Sequence, residues 1–171
     1  LEHGMIQSIG RIGSGVGKHP EQFTICGEHF RYVGVDVGRI NTRVVITGQD
    51  GEVLVSTSKP TKDAEEPEKC IEYLCEQVRE TLKKSTVDEK TIVGICIAMP
   101  GLIESDTGTV IFSPDFGWKD VPLEKWVQER LEPFHVIVRN ANRAQARWET
   151  RPGSNNKEST IFCVGLGYGI G

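Results

Sequence analysis

The spacing of apolar residues along this chain changes several times, and each change marks a different element. "YVGVDVG" (residues 32–38) and "TRVVITG" (42–48) are rich in β-branched residues, and "EVLVSTS" (52–58) overlaps the end of the turn-forming "GQDGE". Three such runs with short links predict an antiparallel meander. The period then shifts. Ile71, Leu74, Cys75, Val78 and Leu82 fall at i, i+3, i+4, i+7 and i+11, the stripe of an amphipathic helix. Pro67 fits its first turn, where a missing N–H costs little. "TIVGICIAM" (91–99) is apolar nearly throughout, which predicts a strand covered on both faces and stopped by Pro100-Gly101. A short strand around "TVIF" follows, then a helix marked by Leu123, Trp126, Val127 and Leu131. A strand "HVIV" (135–138), a helix over 142–149 and a last strand "STIFCVG" (159–165) complete the series. The order β-β-β-α-β-β-α-β-α-β predicts an α/β fold whose sheet is mixed at its front end. "RPGSNNKES" (151–159) reads as a polar link, and there is no internal repeat. Residues 1–27 stand apart: two short apolar-containing segments flank "GRIGSGVGKHP", which reads as a flexible loop.

Composition narrows the class without naming a function. A length of 171 residues fits one domain, or one domain with pieces of its neighbours. No apolar run approaches the roughly 20 residues of a membrane span, and no signal-peptide pattern opens the chain, so a cytoplasmic location is expected. A net charge of −4 gives no global attraction to nucleic acid, so DNA contact has to be local. The five cysteines form no C-x-x-C pair and three sit in apolar runs, the pattern of free thiols in a reducing compartment. His3, His19, His29 and His135 show no metal-ligand spacing. The chain opens on leucine and stops inside "GLGYGIG", so both ends read as cut from something longer.

Three places could carry chemistry. In "GVDVGRINT", Asp36 at a strand end before Gly38 suits phosphate or metal-water handling, or else simply caps a hairpin turn. In "GLGYGIG", the unhindered N–H groups of Gly165, Gly167 and Gly169 could cradle an anion, or the segment is a plain loop. In "MPGLIESDTGTVIFSPDFGWKDVPL" (99–123), Asp115, Trp118 and Asp120 sit on a Pro/Gly-bearing break where ligand contacts are common. The alternative there is a tryptophan packed under the loop.

Together these pieces resemble one family. "YVGVDVGRINTRVVITGQDGEVL", "GICIAMPGLIESDTGTVIFSPDFGWKDVPL", "VIVRNANRAQARWE" and "FCVGLGYGIG" occur in the order and spacing of the ROK family (repressors, open reading frames and sugar kinases), over residues 31–171. The resemblance implies the N-terminal lobe of the actin-like, ribonuclease H-like ATPase fold, in which sugar and ATP lie in a cleft between two lobes. Residues 28–150 would form that lobe, and 151–171 a link with the first strand of the second. Residues 1–27 are similar to the segment that joins a winged helix-turn-helix to the ROK domain in the repressor branch. Ser14, Gly17, Lys18 and Pro20 stand at wing positions, which puts Arg11 and Lys18 near DNA.

The same resemblance assigns roles. Family kinases carry Asp-x-Gly-Gly-Thr in their first phosphate loop, whereas Asp36 and Gly38 are followed here by Arg39 and Ile40. In the second loop Gly165, Gly167 and Gly169 match, but Tyr168 takes a usually small or apolar position. Both phosphate loops thus look degraded. Kinases follow the sugar-holding asparagine with an aspartate that deprotonates the attacking hydroxyl; here Asn140 is followed by Ala141. Asp115 replaces a sugar-contacting asparagine, and Gly101 completes the sugar-binding set. The expectation is a sugar-sensing portion of a transcriptional repressor, with no catalytic residue and no kinase activity. A sugar or amino-sugar effector would bind weakly or not at all to this portion alone. Operator DNA would be read by a helix-turn-helix outside it, and the full-length protein would be a homodimer. No cofactor is expected in this portion, and any zinc would sit beyond residue 171. The alternatives are an ATP-dependent kinase of hexoses or N-acetylhexosamines, or an inert fragment of either.

Overall fold

The computed structural model describes residues 5–12, 19–150 and 162–165. Its first element is a hairpin. β1 (Ile6–Arg11) and β2 (Glu21–Ile25) pair antiparallel, with a bulge between Ser8 and Gly10, and every residue of both strands is exposed. The apolar segments near the start are therefore paired strands. The loop expected between them lies, over 13–18, outside the described residues.

A 3-10 turn, Gly27–His29, leads into the main sheet. β3 (Arg31–Val37), β4 (Asn41–Gly48) and β5 (Val53–Pro60) form the antiparallel meander that their short turns impose. β6 (Ile92–Met99) and β10 (Val136–Asn140) add parallel strands, giving the order β10-β6-β3-β4-β5. Alternation decides what each face meets. Val33, Val35, Val37, Val44, Ile46, Ile95, Ile97, Met99, Val136 and Val138 all point to one buried face. α1 (Pro67–Lys84) and α2 (Leu123–Arg130) supply residues to the same core, including Ile71, Leu74, Val78, Leu82, Leu123 and Val127. α1 opens with Pro67 as its first residue, as its fixed φ favours.

The opposite face is lighter. α3 (Ala141–Glu149) packs on β6 and β10 with small side chains and buries no residue completely. Gly94, Cys96 and Ala98 of β6 are therefore half-buried on that side, so the strand is not sealed equally on its two faces.

A second sheet corrects the reading of residues 99–123. β7 (Leu102–Ile103), β8 (Val110–Ser113) and β9 (Trp118–Val121) pair antiparallel, where the apolar pattern indicated one strand only. β7 has two residues and β9 buries only its two ends, so neither carries an alternation to detect. Trp118 is not displayed but buried. Its indole N–H donates to the Ala64 carbonyl at 2.8 Å, and its ring meets Phe116 edge-on at 5.2 Å. The last expected strand also differs. Residues 162–165, its described part, pair with no described strand, and Phe162 is 92% exposed. Without a neighbouring strand, a β-prone run has nowhere to place its backbone N–H and C=O groups.

One edge of the main sheet is closed by side chains. Glu124 Oε2 accepts the Val138 N–H at 2.9 Å, and Gln128 Oε1 accepts the Val136 N–H at 2.9 Å. Glu124 and Gln128 are four apart on α2, so one helix face blocks the outer hydrogen-bonding row of β10.

Candidate functional site

Strand alternation builds the site. Asp36 lies between the buried Val35 and Val37, so its carboxylate faces away from the core. Directly across on β4 stands Arg43, and across from Arg43 on β5 stands Ser58. A carboxylate, a guanidinium and a hydroxyl thus form a row over three strands. Pro100 at the end of β6, Asp115 in the β8–β9 turn and Ala141 at the start of α3 complete a pocket of about 390 Å³ with them. Six residues singled out in the sequence, Asp36, Gly38, Arg39, Ile40, Asp115 and Ala141, come together on its walls, while Asn140 and Gly101 are not among the lining residues.

The first glycine turn has a local explanation. The Gly38 N–H donates to the Asn41 carbonyl at 3.0 Å, while Thr61 donates its hydroxyl to the Gly38 carbonyl at 2.6 Å and its N–H to the Ile40 carbonyl at 2.8 Å. A Cβ at position 38 would lie 2.7 Å from the Asn41 carbonyl oxygen, so turn closure itself demands glycine there. Asp36 is not the cap of this turn, since its side chain lines the pocket instead. Arg39 is drawn toward Glu65 in a 2.9 Å ion pair, and Ile40 is 60% exposed.

Asn140 and Gly101 are joined. The Asn140 Nδ2 donates to the Gly101 carbonyl at 2.8 Å, and its Oδ1 accepts the Arg143 N–H at 3.0 Å, capping α3. An amide offers two donor hydrogens and two acceptor lone pairs, so one donor and one acceptor remain for a ligand. Gly101 has φ +118, and a Cβ there would meet the Phe112 carbonyl oxygen at 2.5 Å. Beside it lies Ser113, fully buried, with a hydroxyl that has no partner among the described residues.

Of the second glycine loop, Gly165 approaches α3: a Cβ on it would sit 2.9 Å from Asn142 Oδ1, one residue from Ala141. Gly167 and Gly169 lie outside the described residues, as does Lys18 of the hairpin. Arg11 is exposed on β1 opposite Glu21, and with His19, Pro20 and Glu21 it lines a separate hollow away from the pocket. Asp120 is exposed with φ +52 and is not among the pocket residues.

Thiolate chemistry finds no support. Burial pushes the Cys70 and Cys75 thiols up to about 11 and raises that of Cys96 as well, which keeps them protonated near neutrality. Among the described residues no three His, Cys, Asp or Glu side chains are placed to hold a metal ion.

Two wall residues escaped the sequence reading, Arg43 and Ser58. The signal was available. A turn closed between Gly38 and Asn41 pairs Val37 with Thr42 and Asp36 with Arg43, and cross-strand partners share a face.

Comparison with known proteins follows the same geometry. Residues 32–171 match the ROK family. The xylose repressor of Caldicellulosiruptor bescii is 28% identical over 171 residues, covering 100% of this chain and 43% of that protein. The glucokinase of Thermotoga maritima is 30% identical over 142 residues, covering 82% of this chain and 43% of that protein. A ROK family glucokinase from Streptomyces griseus, solved in complex with glucose and AMPPNP, superposes with a TM-score of 0.70 at 25% identity, over 82% of this chain and 43% of that one. A ROK family transcriptional regulator, a homolog of the E. coli MLC protein, superposes with a TM-score of 0.72 at 19% identity, over 86% and 37%. The chain spans less than half the length of these relatives.

Proposed function

The chain belongs to the ROK family, and from that premise we propose that it is the sugar-sensing part of a transcriptional repressor, without kinase activity. The observation that carries this reading is Ala141. It stands on the pocket wall next to Asn140, at the position to which the family resemblance assigns the kinases' hydroxyl-activating aspartate. A methyl group accepts no proton, and losing a general base costs on the order of 10²–10⁴ in rate. Two further features support the regulator. Xylose repressors align over all 171 residues, exposed hairpin included, whereas the glucokinases align over 139–142. Arg39 also fills the position of a phosphate-loop glycine and is tied to Glu65.

The pocket chemistry suits a polyol. Asp36 and Asp115 accept hydrogen bonds from hydroxyl groups and Arg43 donates, while the free half of Asn140, beside the pocket next to Ala141, does either. Sugar binding would bias one arrangement of the protein over another, and the bias would reach operator DNA through a helix-turn-helix outside this chain. The hairpin, with Arg11 and Lys18, would be the wing beside that DNA. The protein would work in the cytoplasm as a homodimer; no described helix is long and apolar enough to cross a membrane.

The test uses the full-length protein with D-xylose, D-glucose and N-acetylglucosamine, with and without Mg-ATP. Saturable sugar binding with no sugar phosphate formed is the expected result. ATP-dependent phosphorylation of any of these sugars overturns it.

A second reading rests on the two carboxylates that remain on the pocket wall. If either Asp36 or Asp115 served as a relocated base, the protein would be a sugar kinase. Asp36→Asn or Asp115→Asn would then abolish a measurable phosphorylation, and Ala141→Asp would leave it unchanged.

A further inference from the structure

α3 bridges two places that lie at opposite ends of β4 and β5. Its first residue, Ala141, is part of the pocket wall. Its eighth, Trp148, lies against the turn between β4 and β5: a Cβ on Gly51 would sit 2.5 Å from the indole Cη2, so ring and backbone are in direct contact. Gly51 has φ +86 and its N–H donates to the Gly48 carbonyl at 3.2 Å. Asp50 Oδ1 and the Gly48 N–H bind the two backbone groups of Glu52 at 3.0 and 2.9 Å, so the turn is internally braced. A braced turn transmits a push instead of absorbing it.

The far side of that turn faces the hairpin. Gly48, Asp50 and Glu52 line an open cavity of about 730 Å³ whose other wall is the hairpin base, including Gln7, Ile25 and Glu28. There the Cys26 N–H donates to the Met5 carbonyl at 2.8 Å and the Arg31 guanidinium holds the Gly27 carbonyl. The strands of the hairpin are exposed along their whole length, so the base is what fixes its direction.

We propose that Trp148 is the positioning residue that couples the candidate sugar pocket to the hairpin, with α3 as a rigid rod between them. The proposal rests on the reading that the pocket binds a sugar. Seven residue steps of helix span roughly 11 Å, and Asn140 fastens the pocket end to Gly101 while it caps the helix. A ligand drawn against Ala141 moves the helix as one body. The indole then shifts the Gly51 turn, and the wall beneath the hairpin changes. A tryptophan that only packed on the sheet would alter stability and leave sugar and operator binding uncoupled.

The test compares wild type, Trp148→Ala, Trp148→Phe and Gly51→Ala in the full-length protein. D-Xylose and D-glucose are titrated by calorimetry, and affinity for a duplex of the protein's own promoter is measured by anisotropy with and without sugar. Trp148→Ala is expected to keep each separate affinity within about threefold. The factor by which sugar changes operator affinity, typically about 5–150 for such coupling, is expected to fall to less than a third of its wild-type value. Trp148→Phe should restore part of it. Gly51→Ala, which displaces the indole from the other side, should reproduce the loss even if Trp148→Ala fails to fold. An unchanged factor in a folded variant overturns the proposal.

If wild type binds no sugar, the functional reading fails, and hydrogen exchange on the full-length protein still decides the coupling. Trp148→Ala, or Gly51→Ala where that variant does not fold, must then speed exchange at least threefold both at the Arg143 amide and at the Cys26 amide. A change confined to residues 48–52 overturns the coupling.

Discussion

Asn140 shows how one side chain serves structure and recognition together. Its carboxamide caps α3 and holds Gly101, so Asn140→Ala removes a cap worth about 1 kcal/mol along with the tie to the loop after β6. Urea unfolding is expected to show a loss of about 1–2 kcal/mol, and Asn140→Asp, which keeps the capping acceptor, a smaller one. Ser113 makes the opposite case. Its buried hydroxyl has no partner, so Ser113→Ala is expected to be neutral or stabilising within about 1 kcal/mol; a loss beyond that in the same assay would show that the hydroxyl is satisfied. The buried thiols carry a pH dependence. Cys70 and Cys75 are held near 11 against an ordinary 9.0, so the unfolded chain gives up these protons first. Stability is thus intact below about pH 9 and declines as pH rises toward 11. Melting temperatures across that window should fall more steeply for wild type than for Cys70→Ala/Cys75→Ala. Part of the pocket was legible at this scale, because Asp36 and Asp115 stand near Gly and Pro breaks, whereas Ala141 stood out only against the family resemblance. Arg43 and Ser58 were hidden because their role depends on register, and Trp118 was left open between display and packing because its partner, the Ala64 carbonyl, is distant in sequence.

Among the elements, those with a long period were readable and those made by pairing were not. α1 shows five apolar residues on one stripe, and β3, β4 and β5 are joined by turns too short for anything but a meander. β7 and β9 exist only because β8 lies between them, and a two-residue strand has no pattern of its own. Residues 162–165 show the converse, a β-prone run without a strand beside it. The α2–β10 edge gives this scale its prediction. Glu124→Ala/Gln128→Ala strips the acceptors from the Val138 and Val136 amides. Each orphaned donor costs about 1–3 kcal/mol, and an unblocked edge invites pairing between copies. Denaturation should show the loss, and light scattering should show concentration-dependent association that wild type lacks.

At the scale of the whole molecule, the lobe keeps the fold of the ROK family and, on the proposed reading, carries Ala141 in place of the aspartate that would take the sugar proton. The sheet places Asp36, Arg43 and Ser58 in a row, the second sheet brings Asp115 opposite, and α3 begins at Ala141 between them. The exposed hairpin projects from the same lobe through a loosely filled junction. On the proposed reading, alanine at position 141 and an exposed hairpin fit a sensor better than a catalyst. Calorimetry of the full-length protein with D-xylose or D-glucose in the presence of Mg-ATP tests this most directly, because binding and turnover leave different heat signatures. The account predicts a saturable isotherm that returns to baseline after each injection, with ATP unconsumed. A sustained heat flow that tracks sugar and ATP consumption would contradict it.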